Sequence, residues 1–317
     1  MKTVSSPEFS RNYGFWSEAE QRALISSRVA IGGVGGDGFQ LGIKLARMGV
    51  GSFSVADPEV FERENVNRVE GAKTASIGRA KVDVFRETVL DVNPAARVDV
   101  WREGATRDNT VEFMRGADLV FDESELTRPE IGTMIARQAR LQNIPDVLVM
   151  NVGFAAQVMS FAPGSAWTFE RFMGLSAEDD LDRISEQSVD LSRCLPYIPP
   201  YTDLTSLVTL QNDQTGDVPL PSISVGVDVA SAIGSVQGFL HLTSKVSTRR
   251  RRPIWAPRMA YVDAYAMRAR VIRASRPTHF RHLAVAALRH KLGRNPLADY
   301  TVADIDRRRG DSAAPSV

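Results

Sequence analysis

Asp57, Asn65, Asn67, Arg68 and Lys81 fall in one short stretch of this 317-residue chain and are the residue types a phosphorylated ligand needs. An aspartate at a strand end accepts hydrogen bonds from a ribose. Arg68 and Lys81 neutralise phosphate oxygens, and Asn65 donates a further bond. An acid at the end of the run Asp118 to Phe121, near residue 122, would hold a magnesium ion. The set suits attack on ATP with pyrophosphate leaving, because fixed positive charge stabilises the charge that develops in the transition state. A nicotinamide site needs none of this cationic equipment, so the spacing favours ATP over a dinucleotide.

These groups need a frame, and the sequence supplies one. The apolar run Val29 to Val34 enters a turn carrying Gly33, Gly35, Gly36 and Gly38. An amphipathic stretch, Phe39 to Met48, leaves it, and a second apolar run, Phe53 to Val55, delivers Asp57. Strand, glycine turn, helix, strand and acid form the nucleotide-binding βαβ unit. Its glycines let the backbone approach phosphates, whose charge the helix N-terminus attracts. Further strand-like runs follow at Val98 to Trp101, Asp118 to Phe121, Val147 to Met150 and Phe154 to Phe161. Helix-like stretches lie at Arg79 to Leu90, Asn109 to Met114 and Pro129 to Leu141. This alternation predicts an α/β, Rossmann-like, doubly wound and mostly parallel sheet. Upstream, Ser17 and Glu20 have capping-box spacing at the head of an amphipathic piece, Ser17 to Leu24.

Ser165 to Pro219 lacks periodicity, is rich in acids and proline, and reads as a long excursion rather than core. A small-residue helix, Ser222 to Leu242, restores order. Alternation from Met259 to Met267 predicts antiparallel strands added at one sheet edge, His279 to Leu292 a last helix, and the end from Asp304 a disordered tail. The expected organisation is an N-terminal arm and helix (1–27), an ATP-binding half (28–164), the excursion (165–220), a return helix with edge strands (221–275) and a basic C-terminal region (276–317).

The run Gly33 to Gly38, then Asp57-Pro-Glu59, Glu64-Asn65-Val-Asn67-Arg68 and Gly78-Arg-Ala-Lys81, resembles the ThiF/MoeB family, bacterial relatives of ubiquitin-activating enzymes. The resemblance covers roughly residues 8 to 270. It implies ATP-dependent adenylation of a carboxylate, with Asp57 on the ribose and Asn65, Arg68 and Lys81 on the phosphates. Glu59 and Asn67 belong to the same nucleotide-binding motifs. The excursion corresponds to the family's crossover loop. Arg11, in Ser10-Arg11-Asn12-Tyr13, matches an arginine that acts in trans at the partner's ATP, which implies a homodimer. Where the family carries Asp-x-x-Asp, this chain has Asp122-Glu-Ser-Glu125, so magnesium falls to Glu125 or to Asp122. Val69 stands where the family has Gln. The family's paired Cys-x-x-Cys motifs are absent, so no zinc is expected. Cys194 lies where some relatives carry a nucleophilic cysteine, and Arg193 beside it could favour the thiolate.

Composition sets the outer bounds. The net charge is +1 and Cys194 is the single cysteine, which excludes internal disulfides. The N-terminus lacks the hydrophobic core of a secretory signal, and no uninterrupted apolar run approaches the ~20 residues of a membrane span. A cytoplasmic location is expected. From Lys245 onward basic residues dominate, either as a solvated face or as a patch for an acidic peptide or nucleic acid. His279 and His282 are expected to be solvated helix histidines. The acceptor expected is a carboxylate on a peptide or small protein, as in peptide modification in a biosynthetic pathway. A sulfur-carrier or ubiquitin-like protein and a carboxylate on tRNA are the alternatives within this chemistry. Outside it stands a non-catalytic nucleotide-binding partner subunit.

Overall fold

The computed structural model describes residues 7–202, 204 and 221–294. The expected tail from Asp304 and the later part of the crossover loop lie outside them. Eight strands form one sheet: β1 (Arg28–Gly32), β2 (Ser52–Ala56), β3 (Arg97–Trp101), β4 (Leu119–Asp122), β5 (Asp146–Val152), β6 (Ala155–Phe161), β7 (Arg258–Asp263) and β8 (Arg268–Arg273). Their order is β3-β2-β1-β4-β5-β6-β7-β8. The first five in that order run parallel, and β6, β7 and β8 are added antiparallel at the β5 edge. The helices are α1 (Glu18–Ser26), α2 (Gly36–Met48), α3 (Lys81–Val92), α4 (Thr110–Phe113), α5 (Pro129–Leu141), α6 (Phe169–Met173), α7 (Leu181–Ser185), α8 (Leu191–Cys194), α9 (Ser224–Leu242) and α10 (Arg276–Lys291).

Alternation along each strand feeds two cores. On one face Val29, Ile31, Phe53, Val55 and Phe121 pack under α2, α3 and α9. There Phe39 meets Phe61 and Phe85 edge-on, at 5.8 and 5.5 Å between ring centroids. The opposite face sends Ala30, Ala56 and Val120 against α4 and α5. Small residues let α9 lie close on α2 and the sheet, as its composition predicts. It is the one described helix long and apolar enough to cross a membrane, yet its small and apolar residues are largely buried in this core.

The excursion departs from expectation. Residues 165–202 fold into α6, α7 and α8 and build a second apolar cluster with Leu148, Met150, Met159 and Phe161 of the sheet. Phe169, Phe172, Met173, Ile184 and Leu191 are all buried. Glu170, wholly buried, is clamped by Arg137 and Arg140 of α5 at 3.2 and 2.6 Å. Short helices two turns or less in length give little periodicity, so the apolar residues here show no pattern until their sheet partners are known.

Candidate nucleotide site

The C-terminal ends of β1, β2 and β4 converge on the glycine turn. Gly33 adopts φ +104°, donates its N–H to Ala56 O at 2.8 Å, and leaves no room for a side chain, since a Cβ would fall 2.3 Å from Glu123 O. Only glycine fits such a conformation and approach. Gly35 differs: a Cβ there would meet nothing within 4 Å. The turn is thus locked underneath and open on the side where the N–H groups heading α2 can receive a phosphate.

Asp57 closes the turn onto β2. Its carboxylate accepts Val34 N–H and Glu59 N–H, both at 2.9 Å. Burial raises its pKa, and Lys81 pulls it back. Lys81 opens α3; its backbone N–H donates to Glu59 O at 3.0 Å and its ammonium pairs closely with the Glu59 carboxylate. The lysine side chain is 7% exposed while that of Glu59 is 53% exposed, so a buried stem delivers its charge to the surface beside Asp57. Glu59 therefore serves as the counter-charge of Lys81.

Arg68 follows the 3-10 turn Arg63–Asn67 and donates from one guanidinium nitrogen to Glu64 O and Asn67 Oδ1, both at 2.9 Å. The two asparagines are tied into local structure. Asn65 Oδ1 accepts Glu62 N–H at 3.0 Å and closes that turn. Asn67 uses both ends of its amide, taking the Arg68 bond and donating to Ser222 O at 2.9 Å.

The structure separates the two candidates for magnesium. Asp122 is wholly buried, its Oδ1 accepting from Ser124 N and Oγ at 3.1 and 2.6 Å. Its other oxygen sits against Gly132 of α5, on the sheet face away from α2, and no described residue donates to it. Burial raises its pKa. Glu125 is exposed on the following loop. Among the described residues no three His, Cys, Asp or Glu side chains converge on a metal. Magnesium keeps its waters and binds through one or two carboxylates plus the phosphates of the nucleotide, so the exposed Glu125 carboxylate would suffice as its protein ligand, and the ion would there neutralise phosphate charge.

Two further acids at the turn were not singled out from the sequence. Asp37, at the variable position of the glycine motif, is buried, and Asn151 Nδ2 donates to its Oδ2 at 2.8 Å. Burial pushes its pKa up to about 7, against Asn151 and the charge of Arg68. Glu123 lies under Gly38, where burial first and then Asp37 raise its pKa well above the usual range. The signal available was a charged residue inside a glycine motif; its partner Asn151, over a hundred residues away, had none.

Three expectations fall elsewhere. Arg11 lies in the 3-10 helix Pro7–Asn12, whose Phe9 packs on Gly49 at the C-terminal end of α2. The 13 residues of α2 put that end ~20 Å from the glycine turn of the same chain. Cys194 must be corrected: it is wholly buried in the second cluster, and burial pushes its thiol up to about 12. Arg193 gives it no thiolate, being engaged with Asp190 at 3.2 Å and with Arg171 O. The histidines are corrected too. His279 is buried with Nδ1 2.6 Å from Leu195 O, and His282 is half-buried, its ring tilted against that of Tyr197 at 4.0 Å between centroids.

The sequence pattern that defines the ThiF family matches residues 9–280. The chain belongs to the ThiF family. It is 32% identical over 149 residues to the tRNA threonylcarbamoyladenosine dehydratase of Bacillus subtilis, covering 47% of this chain and 57% of that one. With the sulfur carrier protein ThiS adenylyltransferase of Escherichia coli it shares 29% over 145 residues, 45% of this chain and 56% of that one. The matched stretches span little more than half the length of these relatives. Among solved structures, E. coli MccB with ATP superposes with a TM-score of 0.61 at 15% identity, covering 86% of this chain and 73% of MccB. A second structure of MccB, the microcin C7 biosynthetic enzyme, in complex with N-formylated MccA aligns equally well. At that identity the likeness is one of fold, and it agrees with the mixed eight-stranded ThiF-type sheet.

Proposed function

We propose that this ThiF-family protein adenylates a carboxylate. A carboxylate oxygen of the acceptor attacks the α-phosphorus of ATP, the bond to the α–β bridging oxygen breaks, pyrophosphate leaves, and an acyl-AMP mixed anhydride remains. The observation that carries this reading is the placing of two cations, Arg68 and Lys81, around an open glycine turn whose Asp57 is preset by two backbone N–H bonds. In this account Asp57 holds the ribose, the turn and the two cations take the phosphates, and fixed charge stabilises the departing pyrophosphate. Arg11 cannot reach its own turn, so its role is at the nucleotide of a second copy, and the working unit is a homodimer.

The acceptor proposed is a peptide carboxylate. Phe154, Tyr201 and Tyr265 form a cluster at the tip of the β5–β6 hairpin, at the same end of the sheet as the glycine turn. Tyr265 is 70% exposed, and aromatic side chains of this kind suit peptide docking. The family likeness to a tRNA-modifying relative and the exposed Arg268, Arg270 and Arg273 on β8 favour tRNA as the second reading.

Pyrophosphate exchange tests both. The protein is incubated with magnesium, ATP, labelled pyrophosphate and, separately, short peptides and tRNA. Label entering ATP with a peptide supports the first reading and with tRNA the second. Nucleotide binding with no exchange across both panels contradicts adenylation and leaves a non-catalytic partner subunit.

A further inference from the structure

Four hydrogen bonds, three of them between residues far apart in sequence, form a series with an arginine at one end and an aspartate at the other. Arg68 donates to Asn67 Oδ1 at 2.9 Å, and Asn67 donates to Ser222 O at 2.9 Å. Ser222 Oγ donates to Asn151 Oδ1 at 3.0 Å, and Asn151 donates to Asp37 Oδ2 at 2.8 Å. Every donor points the same way, from the guanidinium toward the carboxyl. Such a series is self-consistent, because each amide's orientation is dictated by its neighbours, and aligned bonds polarise one another. The chain crosses from the loop after β2, through the segment leading into α9, to the end of β5 and back to the first turn of α2.

We infer that Asn67, Ser222 and Asn151 are positioning residues for the nucleotide reaction, holding the Arg68 guanidinium in register with the glycine turn through Asp37. This rests on the adenylation reading and deepens it. Asn67 then acts through Arg68, with its amide oxygen and one amide N–H both engaged in the series. Ser222 gives the arrangement a consequence. It stands where the chain enters α9, the helix that packs on β5 and β6 beneath the aromatic tip. A shift of that entry moves Asn67 through the Ser222 carbonyl and Asn151 through its hydroxyl. The acceptor half and the triphosphate grip are therefore mechanically joined at one residue.

The test is a double-mutant cycle on the full chain, read as ATP affinity by calorimetry and as KM against kcat for ATP in pyrophosphate exchange. Asn67→Ala and Asn151→Ala are each expected to raise the ATP KM about tenfold, the scale of one lost charge-assisted hydrogen bond. The double variant should be no worse than about twice the poorer single one, because both cut the same chain. Neither change should cost anything further in an Arg68→Ala background. Ser222→Ala, which keeps the carbonyl and loses only the hydroxyl, should raise KM a few-fold, and Ser222→Thr should restore it. A purely structural role would lower the melting temperature and leave KM for the folded protein unchanged. Single variants within about twofold of wild type, or a double variant that multiplies to about a hundredfold, overturn the proposal while leaving adenylation standing. A wild type that binds no ATP in the first titration overturns both.

Discussion

Lys81 and Cys194 are both buried, and the two burials have opposite outcomes. The Lys81 stem is enclosed at the head of α3, but its ammonium meets Glu59, whose carboxylate is half exposed beside the glycine turn. Cys194 sits among Phe169, Met173 and Leu191, with its sulfur sealed and its proton held. At the head of α3, packing brings the Lys81 charge out to a half-exposed partner beside the glycine turn. In the half built from β5–β8 and residues 165–202, packing encloses the groups that could react. On the adenylation proposal, chemistry belongs to the first region, and shape and recognition belong to the second.

The largest effect that would sharpen this contrast is structural. Glu170→Ala takes the shared carboxylate from Arg137 and Arg140, which are themselves about a quarter exposed, and should cost about 3 kcal/mol of stability, measured by denaturant unfolding, while the folded protein keeps its ATP affinity. Against the burial that would raise it, Arg140 and Arg137 hold the Glu170 pKa low. This stability is present above the ordinary glutamate pKa and is lost as pH falls through the lower folded value.

Lys81→Ala reverses the pattern, with pyrophosphate exchange falling about 10²-fold or more, the scale of removing one transition-state donor, in a protein that still folds. Asp37→Asn has a smaller, pH-dependent effect. The folded carboxyl is raised from 3.8 to about 7, so stability is fully present below pH 3.8, declines toward pH 7 and is flat beyond. The variant should remove that slope, melting above wild type at pH 8 but not at pH 4. Cys194→Ala is expected to do least, leaving exchange within about twofold and costing ~1 kcal/mol of packing. Loss of exchange in that variant would break the division between the two regions.

Residues whose partners are near in sequence were readable in advance. The spacing of Ser17 and Glu20 is realised as a reciprocal cap, with Glu20 N donating to Ser17 Oγ at 3.2 Å and Ser17 N to Glu20 Oε2 at 2.8 Å. The helix at Pro129–Leu141 has the bounds its proline and periodicity suggest. The glycine turn, Asp57 and the Lys81 helix are placed by contacts within one βαβ unit. Phe169, Ile184 and Cys194 depend on Leu148 and Met159, and Asp37 depends on Asn151. No local pattern encodes those meetings, so the packed excursion, the sealed thiol and the second pair of acids emerged only from the fold.

The central claim is that Arg68 and Lys81 grip a triphosphate at the glycine turn. Calorimetric titration of ATP and of AMP, each with magnesium, into wild type, Arg68→Ala and Lys81→Ala tests it most directly. The account predicts that wild type prefers ATP over AMP and that either substitution abolishes the preference while AMP still binds. An undiminished preference in both variants, or displacement of ATP by a nicotinamide dinucleotide, would contradict it.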